Sequence, residues 1–193
     1  MGIEAQYYAI SIEMMNLYHS NDIDKFYDEL EQLKETSYHC DLIKLWDILH
    51  FLCTGFTSTY YHKPIDNTGF LNKLKSIFKH SSNDDKEIFA TEKQKYLYYA
   101  FYGKNIPVTD DTSFNNYDDI IKIVPCLNEI DIGKVIKNID CHKIPLDELY
   151  PQLSADDFND DEFVSDLIDF FEKFKKIYQN ALKDNRHICV FIG

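Results

Sequence analysis

The run KLWDILHFLCTGFTS, residues 44–58, gathers the side chains whose types and spacing could do chemistry. It holds the only tryptophan, Trp46, with Asp47 beside it and His50 three positions on. On a helix, side chains three and four residues apart are neighbours. Asp47 could therefore hold a ring nitrogen of His50 and fix its tautomer, as carboxylates do behind catalytic and metal-bound histidines. Thr54, four past His50, would add a hydroxyl to the same face. That is the layout of a general base. A triad also needs a positioned nucleophile, and no GxSxG elbow accompanies the pair. The same residues fit a structural role equally well. Trp46 would be a core anchor, and His50 would sit near a helix C-terminus, where a cation is favoured.

Other constellations are less complete. His39-Cys40 and Cys141-His142 are adjacent pairs, whereas structural zinc sites prefer ligands two to four residues apart. No metal site and no cofactor are expected. The acidic run DDFNDDE, 156–162, contains Asp156, Asp157, Asp160, Asp161 and Glu162. It lacks the glycine and the distant glutamate of an EF-hand loop. Negative charge there suits the start of a following helix, or a docking surface for a cationic partner. The tyrosines of 96–102 have only Lys93, Lys95 and Lys104 near them in sequence, too few to make a nucleic-acid stacking platform. They fit core or partner packing. No glycine loop of the phosphate-cradling kind is present.

The elements that must position these residues follow from periodicity. Residues 3–12, IEAQYYAISI, suit a strand. Ile23, Phe26, Tyr27, Leu30 and Leu33 recur at helical spacing, which predicts a helix over about 22–35. Leu42, Leu45, Trp46, Leu49 and Cys53 line a further helix, with Asp41 able to cap its start and Gly55 to end it. Loop is expected over 56–68, a short helix over 70–78 and a polar break over 80–86. The aromatic segment 95–105 reads as strand or helix and ends at Gly103. Residues 106–118 read as polar loop, and 120–124, IIKIV, as a strand stopping at Pro125. A helix is expected over 129–139 despite Gly133, then irregular chain over 140–160. The longest helix spans 161–184, with an apolar stripe of Phe163, Leu167, Phe170, Phe171, Phe174, Ile177, Tyr178 and Ala181. Five consecutive apolar residues, 188–192, suit a strand buried on both faces. The expected architecture is α+β: a single helix-rich domain over 1–193, with a small sheet that includes the N- and C-terminal strands.

Composition agrees with one sizeable core. The chain has 193 residues, 45% of them hydrophobic, with 14 Tyr and 14 Phe, which is too apolar for a disordered chain. A chain of this size buries roughly 70% of the surface its unfolded form exposes. The net charge is −13. Residues 104–169 hold five Lys against 16 Asp or Glu, a balance of −11. Nucleic-acid contacts need a basic stripe, and an anionic membrane surface would repel this half. The longest stretch free of Asp, Glu, Lys and Arg is 15 residues, 48–62, short of the roughly 20 needed to span a bilayer. Five cysteines, an odd number without a CxxC pair, predict free thiols in a reducing cytoplasm.

Three stretches together resemble the YfbM-like family, a bacterial domain family of unknown function. They are LWDILHFLCTG at 45–55, IPLDELYP at 144–151 and IYQNALKDNRHICVFIG at 177–193. The opening MGI before an aromatic-rich strand also fits. Position 149 departs from the pattern, with Leu in place of the more usual Ile, and 56–125 is longer and more divergent than in typical members. The resemblance implies an α+β fold and a cytoplasmic bacterial protein. It implies no activity.

Two functional readings follow. The first is a non-enzymatic binding protein that holds a basic protein on its acidic half, in the manner of an antidote or immunity protein. The second is a small-molecule-binding protein or enzyme with a pocket near Trp46, Asp47, His50, Thr54 and Tyr150. It requires the fold to bring 144–151 against the Trp46 helix.

Overall fold

Strand β1 (Ala5–Ile10) is an extended run whose one face carries Ala5, Tyr7 and Ala9 and whose other carries Gln6, Tyr8 and Ile10. The computed structural model describes residues 3–57, 89, 91–104, 112–140 and 144–193. In it β4 (His187–Ile192) pairs antiparallel with the whole of β1, from Ala5 opposite Ile192 to Ile10 opposite His187. The two terminal strands thus form the centre of the sheet. β2 (His39–Ile43) flanks β1 and β3 (Thr112–Asn115) flanks β4, all antiparallel, in the order β2-β1-β4-β3.

Seven α-helices lie among the described residues: α1 (Ile12–His19), α2 (Ile23–Leu33), α3 (Trp46–Thr54), α4 (Glu92–Tyr102), α5 (Tyr117–Asn128), α6 (Ile132–Asn138) and α7 (Asp161–Lys183). The period-two alternation of β1 sorts them into two layers. Ala5, Tyr7 and Ala9 face the main core, built with α3 to α7. Tyr8 and Ile10 face a smaller layer made with Met14 of α1, Phe26 and Leu30 of α2, Phe114 and Cys189. The result is the α+β architecture expected, one helix-rich domain on a small sheet.

α7 lies across the main-core face of the sheet. Leu167, Phe171, Phe174, Ile177, Tyr178 and Ala181 of its stripe are buried, and Phe174 meets the Tyr7 ring edge-on at 4.8 Å. All nine residues of α3 are buried, including the polar Asp47, His50 and Thr54, so the helix is enclosed by others on every side. Gly55 ends it in the left-handed conformation at φ 79°.

The C-terminal end of α4 is also buried. The Tyr99 carbonyl accepts the Gly103 N–H at 2.8 Å, and the next three carbonyls have no partner within the helix's own α pattern. Side chains from three other elements reach all four. Asn115 Nδ2 of β3 donates to the Tyr99 carbonyl at 2.6 Å, and Tyr178 Oη of α7 to that of Ala100 at 2.6 Å. Tyr7 Oη of β1 donates to the Phe101 carbonyl at 3.0 Å, and Ser113 Oγ of β3 to that of Tyr102. Asn115 Nδ2 also donates to Tyr178 Oη at 3.0 Å, joining two of the caps. The chain then turns at Gly103, φ 73° and ψ 162°, a region essentially reserved for glycine. A side chain there would place its Cβ 2.7 Å from Ser113 Cβ.

Four expectations are corrected. Residues 120–124 are not a strand but part of α5. Ile120, Ile123, Val124 and Leu127 are buried at helical spacing, and Asp119 Oδ2 accepts the Asn116 N–H at 3.3 Å to start the helix. Pro125 stands on its exposed side, where water can satisfy the carbonyl it frees. Within 106–118, residues 112–115 form β3 and Tyr117 opens α5. Its polar side chains resemble loop but serve as caps. The helix expected from 129 starts at Ile132, because Asp131 Oδ1 accepts the Lys134 N–H at 3.0 Å. Asp41 does not cap α3. It lies in β2, its Oδ1 accepting the Ile43 N–H at 2.7 Å. The undecided 95–105 segment contributes to α4, started by Thr91, whose Oγ1 accepts the Gln94 N–H at 3.1 Å. The expected helix at 70–78 and polar break at 80–86 lie outside the described residues, as does most of the divergent segment.

The buried caps make a test. Tyr178→Phe removes one oxygen and strands the Ala100 carbonyl, so the unfolding free energy should fall by about 1–3 kcal/mol in urea denaturation. Tyr27→Phe, on an exposed ring, should change it by no more than about 0.5 kcal/mol. Equal effects would show that the caps do not hold the fold.

Candidate functional site

The cluster foreseen around Trp46 forms where α3 meets the segment 146–151. Asp47 is fully buried, and its Oδ2 accepts the backbone N–H of Tyr150 at 3.0 Å. Tyr150 Oη in turn accepts the Ile3 N–H at 3.0 Å, and Thr57 Oγ1 donates to Glu148 Oε2 at 3.4 Å. Trp46, Asp47, His50, Thr54 and Tyr150 are therefore brought together, with Asp47 turned to Tyr150 rather than to the imidazole.

Both ring nitrogens of His50 face hydroxyls. Nε2 lies 3.4 Å from Thr54 Oγ1, and Nδ1 lies 3.5 Å from Tyr102 Oη. The Thr54 hydroxyl donates its one proton to the His50 carbonyl at 2.8 Å and accepts the Phe56 N–H at 3.2 Å. Toward the ring it can only accept, which selects the Nε2–H tautomer and leaves Nδ1 as an acceptor for Tyr102. The ring packs edge-to-face on Tyr102 at 4.9 Å and on Phe101 at 5.5 Å. Burial pushes its pKa down from an ordinary 6.5 to about 3, because the charged ring cannot be solvated there. This histidine does not activate Thr54, since the hydroxyl is already committed to its own helix.

Among the described residues, two buried polar atoms beside this line lack partners: the indole Nε1 of Trp46 finds no acceptor, and Oε1 of Gln94 finds no donor. Gln94 Nε2 donates to the Thr54 carbonyl at 3.1 Å. Gln94 and Tyr102 were not foreseen as members, because they join α3 only through packing of α4.

Burial also keeps the described cysteines protonated. All four are free. Cys40 is pushed up to about 12 and Cys126 to about 11, and Cys53 and Cys189 are raised as well, by desolvation in each case. Thiols are poor nucleophiles and poor metal ligands in that state. His39 stacks on Tyr8 at 4.6 Å, and the Cys141-His142 pair lies outside the described residues. Among the described residues no group of three or more His, Cys, Asp or Glu could hold a metal ion. None of the helices there is long and apolar enough to cross a membrane.

The acidic residues divide by role. Asp157 Oδ2 accepts from Ser154 N at 2.6 Å and Ser154 Oγ at 3.0 Å, and Asp160 Oδ1 from Glu162 N at 2.9 Å. These two order the turn into α7. Asp156, Asp161 and Glu162 are exposed, with no ion-pair partner among the described residues.

The neutral imidazole has a measurable consequence. Between about pH 6.5 and 3 the unfolded chain takes up a proton at His50 that the folded chain refuses. The stability this neutral state provides is therefore complete above pH 6.5 and is lost on acidification, by up to about 1.4 kcal/mol per pH unit. His50→Ala should lower stability at neutral pH by about 1–3 kcal/mol and flatten the acid limb by nearly one proton. Urea denaturation between pH 4 and 7 reads both, and an unchanged slope would mean that His50 is not the group titrating.

Comparison with known proteins adds a family. No curated protein matches the chain. Among solved structures it resembles the crystal structure of YfbM from Escherichia coli, a protein of unknown function. The two share 18% identity at a TM-score of 0.62, over 98% of this chain and 99% of that one. At that identity the likeness shows the fold. The family described as "Domain of unknown function (DUF1877)" matches residues 1–94 and 101–191, and the chain belongs to that family.

Proposed function

We propose that this chain is a non-enzymatic binding module that holds a basic protein on the acidic face of α7, in the manner of an antidote or immunity protein. One observation carries the reading. Glu162, Asp166 and Asp169 are exposed at helical i, i+4 and i+7 spacing. No cation among the described residues lies within ion-pair distance of them, or of neighbouring Asp156 and Asp161. Like charges at that spacing cost a few tenths of a kcal/mol per pair; the helix dipole favours Glu162 in the first turn, but Asp166 and Asp169 lie beyond it. A cationic surface would offset the repulsion and would be steered in quickly. The inert thiols and neutral His50 support a role without catalysis, and free cysteines support a cytoplasmic setting.

The test is capture of partners by the tagged protein at low and at high salt, followed by association kinetics. A basic protein should be held at low salt and released at high salt. Glu162→Lys with Asp166→Lys should slow its association by about tenfold or more without lowering the melting temperature. An association rate indifferent to both salt and charge reversal would sink the reading.

A second reading rests on the partnerless Trp46 indole beside Tyr150 and His50: a small polar molecule taken up at that cluster. Thermal-shift screening would support it if a stabilising compound lost its effect in Trp46→Phe. A compound equally effective on that variant would count against it.

A further inference from the structure

The smaller layer of the molecule contains a groove that the acidic face of α7 does not explain. It lies on the opposite side of the sheet, between the strands and α1 and α2, and has a volume of about 720 Å³. That is within the range of small-molecule sites, about 300–1,000 Å³. Its floor is Tyr8, which is buried, and its wall is Phe191, whose ring stands at 89° to Tyr8 with centroids 5.8 Å apart. Tyr27, on α2 and 47% exposed, lies 6.1 Å from Phe191 and makes a third aromatic side. Carboxylates flank this corner, Glu4 from the start of β1 and Glu31 from α2.

The groove already holds one ammonium. Lys34 Nζ sits 2.6 Å from Glu31 Oε1, with both side chains well exposed. An i, i+3 pair of this kind is worth only a few tenths of a kcal/mol, so a better cation can displace it. The Tyr8 hydroxyl reports the same field from below. It is raised by burial first, then by the negative charge of Glu31 and Asp41.

We propose that this groove binds a small quaternary ammonium compound, its methyl groups against Tyr27 and Phe191, above the buried Tyr8, and its charge beside Glu4 and Glu31. Rings attract a cation through their negative faces. They give a primary ammonium none of the hydrogen bonds it loses on leaving water, whereas a methylated one gives up few. The aromatic walls therefore favour the methylated form, while the rim carboxylates attract either charge.

Choline is the probe, and its neutral isostere, with carbon in place of nitrogen, is the control. In an amide-resolved NMR titration of the whole protein, choline should shift Tyr8, Tyr27 and Phe191 saturably. The isostere should bind about tenfold more weakly or less well still. Tyr27→Ala keeps a good helix former at an exposed site and should weaken binding several-fold at an unchanged melting temperature, as should Glu31→Gln. Absence of saturable shifts would overturn the proposal. So would equal binding of the isostere, or binding that neither substitution changes. None of these results depends on α7, so the groove and the acidic face stand or fall separately.

Discussion

The C-terminal end of α4 terminates inside the protein, and the molecule is arranged to satisfy it. Four consecutive carbonyls, from Tyr99 to Tyr102, are met by Asn115, Tyr178, Tyr7 and Ser113. A buried carbonyl left unpaired costs about 1–3 kcal/mol. Two of them would consume a large part of a domain's usual 5–15 kcal/mol of stability. The caps come from β1, β3 and α7, so no one of these elements can shift without breaking a bond to α4. Sheet register and helix placement are thereby tied to one point. Gly103 completes the arrangement, because only a residue without a side chain can turn there beneath Ser113.

That anchoring also determines what surrounds His50. With the end of α4 fixed, Phe101 and Tyr102 face α3, and the imidazole is enclosed by rings and two hydroxyls. A charged group could not be kept there. The neutral histidine is a consequence of the same packing that caps the helix. Asp47, at the other end of α3, faces the incoming Tyr150 backbone instead, which is how the two family-like stretches come to touch. A helix enclosed on every side leaves little freedom at its polar positions, and each is settled by a neighbour distant in sequence.

This explains which parts of the fold were legible in the sequence. β1, α2, α7, β4 and the Gly55 stop have periodicity or end signals within a single window, and the α+β class follows from them. α5 was misread because IIKIV is β-branched and Pro125 follows. Its helical signal lies in Ile120, Ile123, Val124 and Leu127 together, and depends on an Asp119 cap that also pairs with Lys104 at 2.8 Å. β3 was missed because Thr112, Ser113 and Asn115 look like loop. They are buried because an element about ten to sixteen residues earlier needs their donors. The membership of the Trp46 cluster was readable from spacing, but its hydrogen bonds were not. Asp47 and His50 are neighbours on the helix, yet tertiary partners from 148–150 and α4 offered each a better-placed bond.

The distribution of charge then follows from the core. Because the interior holds its histidine neutral and its thiols protonated, formal charge apart from the buried Asp47 and Asp119 is carried on surfaces, and two of these are not internally balanced. On α7, carboxylates repeat along one face with no cation among the described residues within ion-pair distance of them. In the groove, carboxylates border aromatic rings, and a displaceable lysine is the cation near them. Both surfaces are complementary to positive charge, but at different scales: α7 presents a row suited to an extended partner, the groove a single enclosed corner. Folding demands neither feature, since the main core closes through α4 and the sheet without them. In the readings proposed above, the charge left unbalanced on each surface is what a cationic partner or ligand would meet.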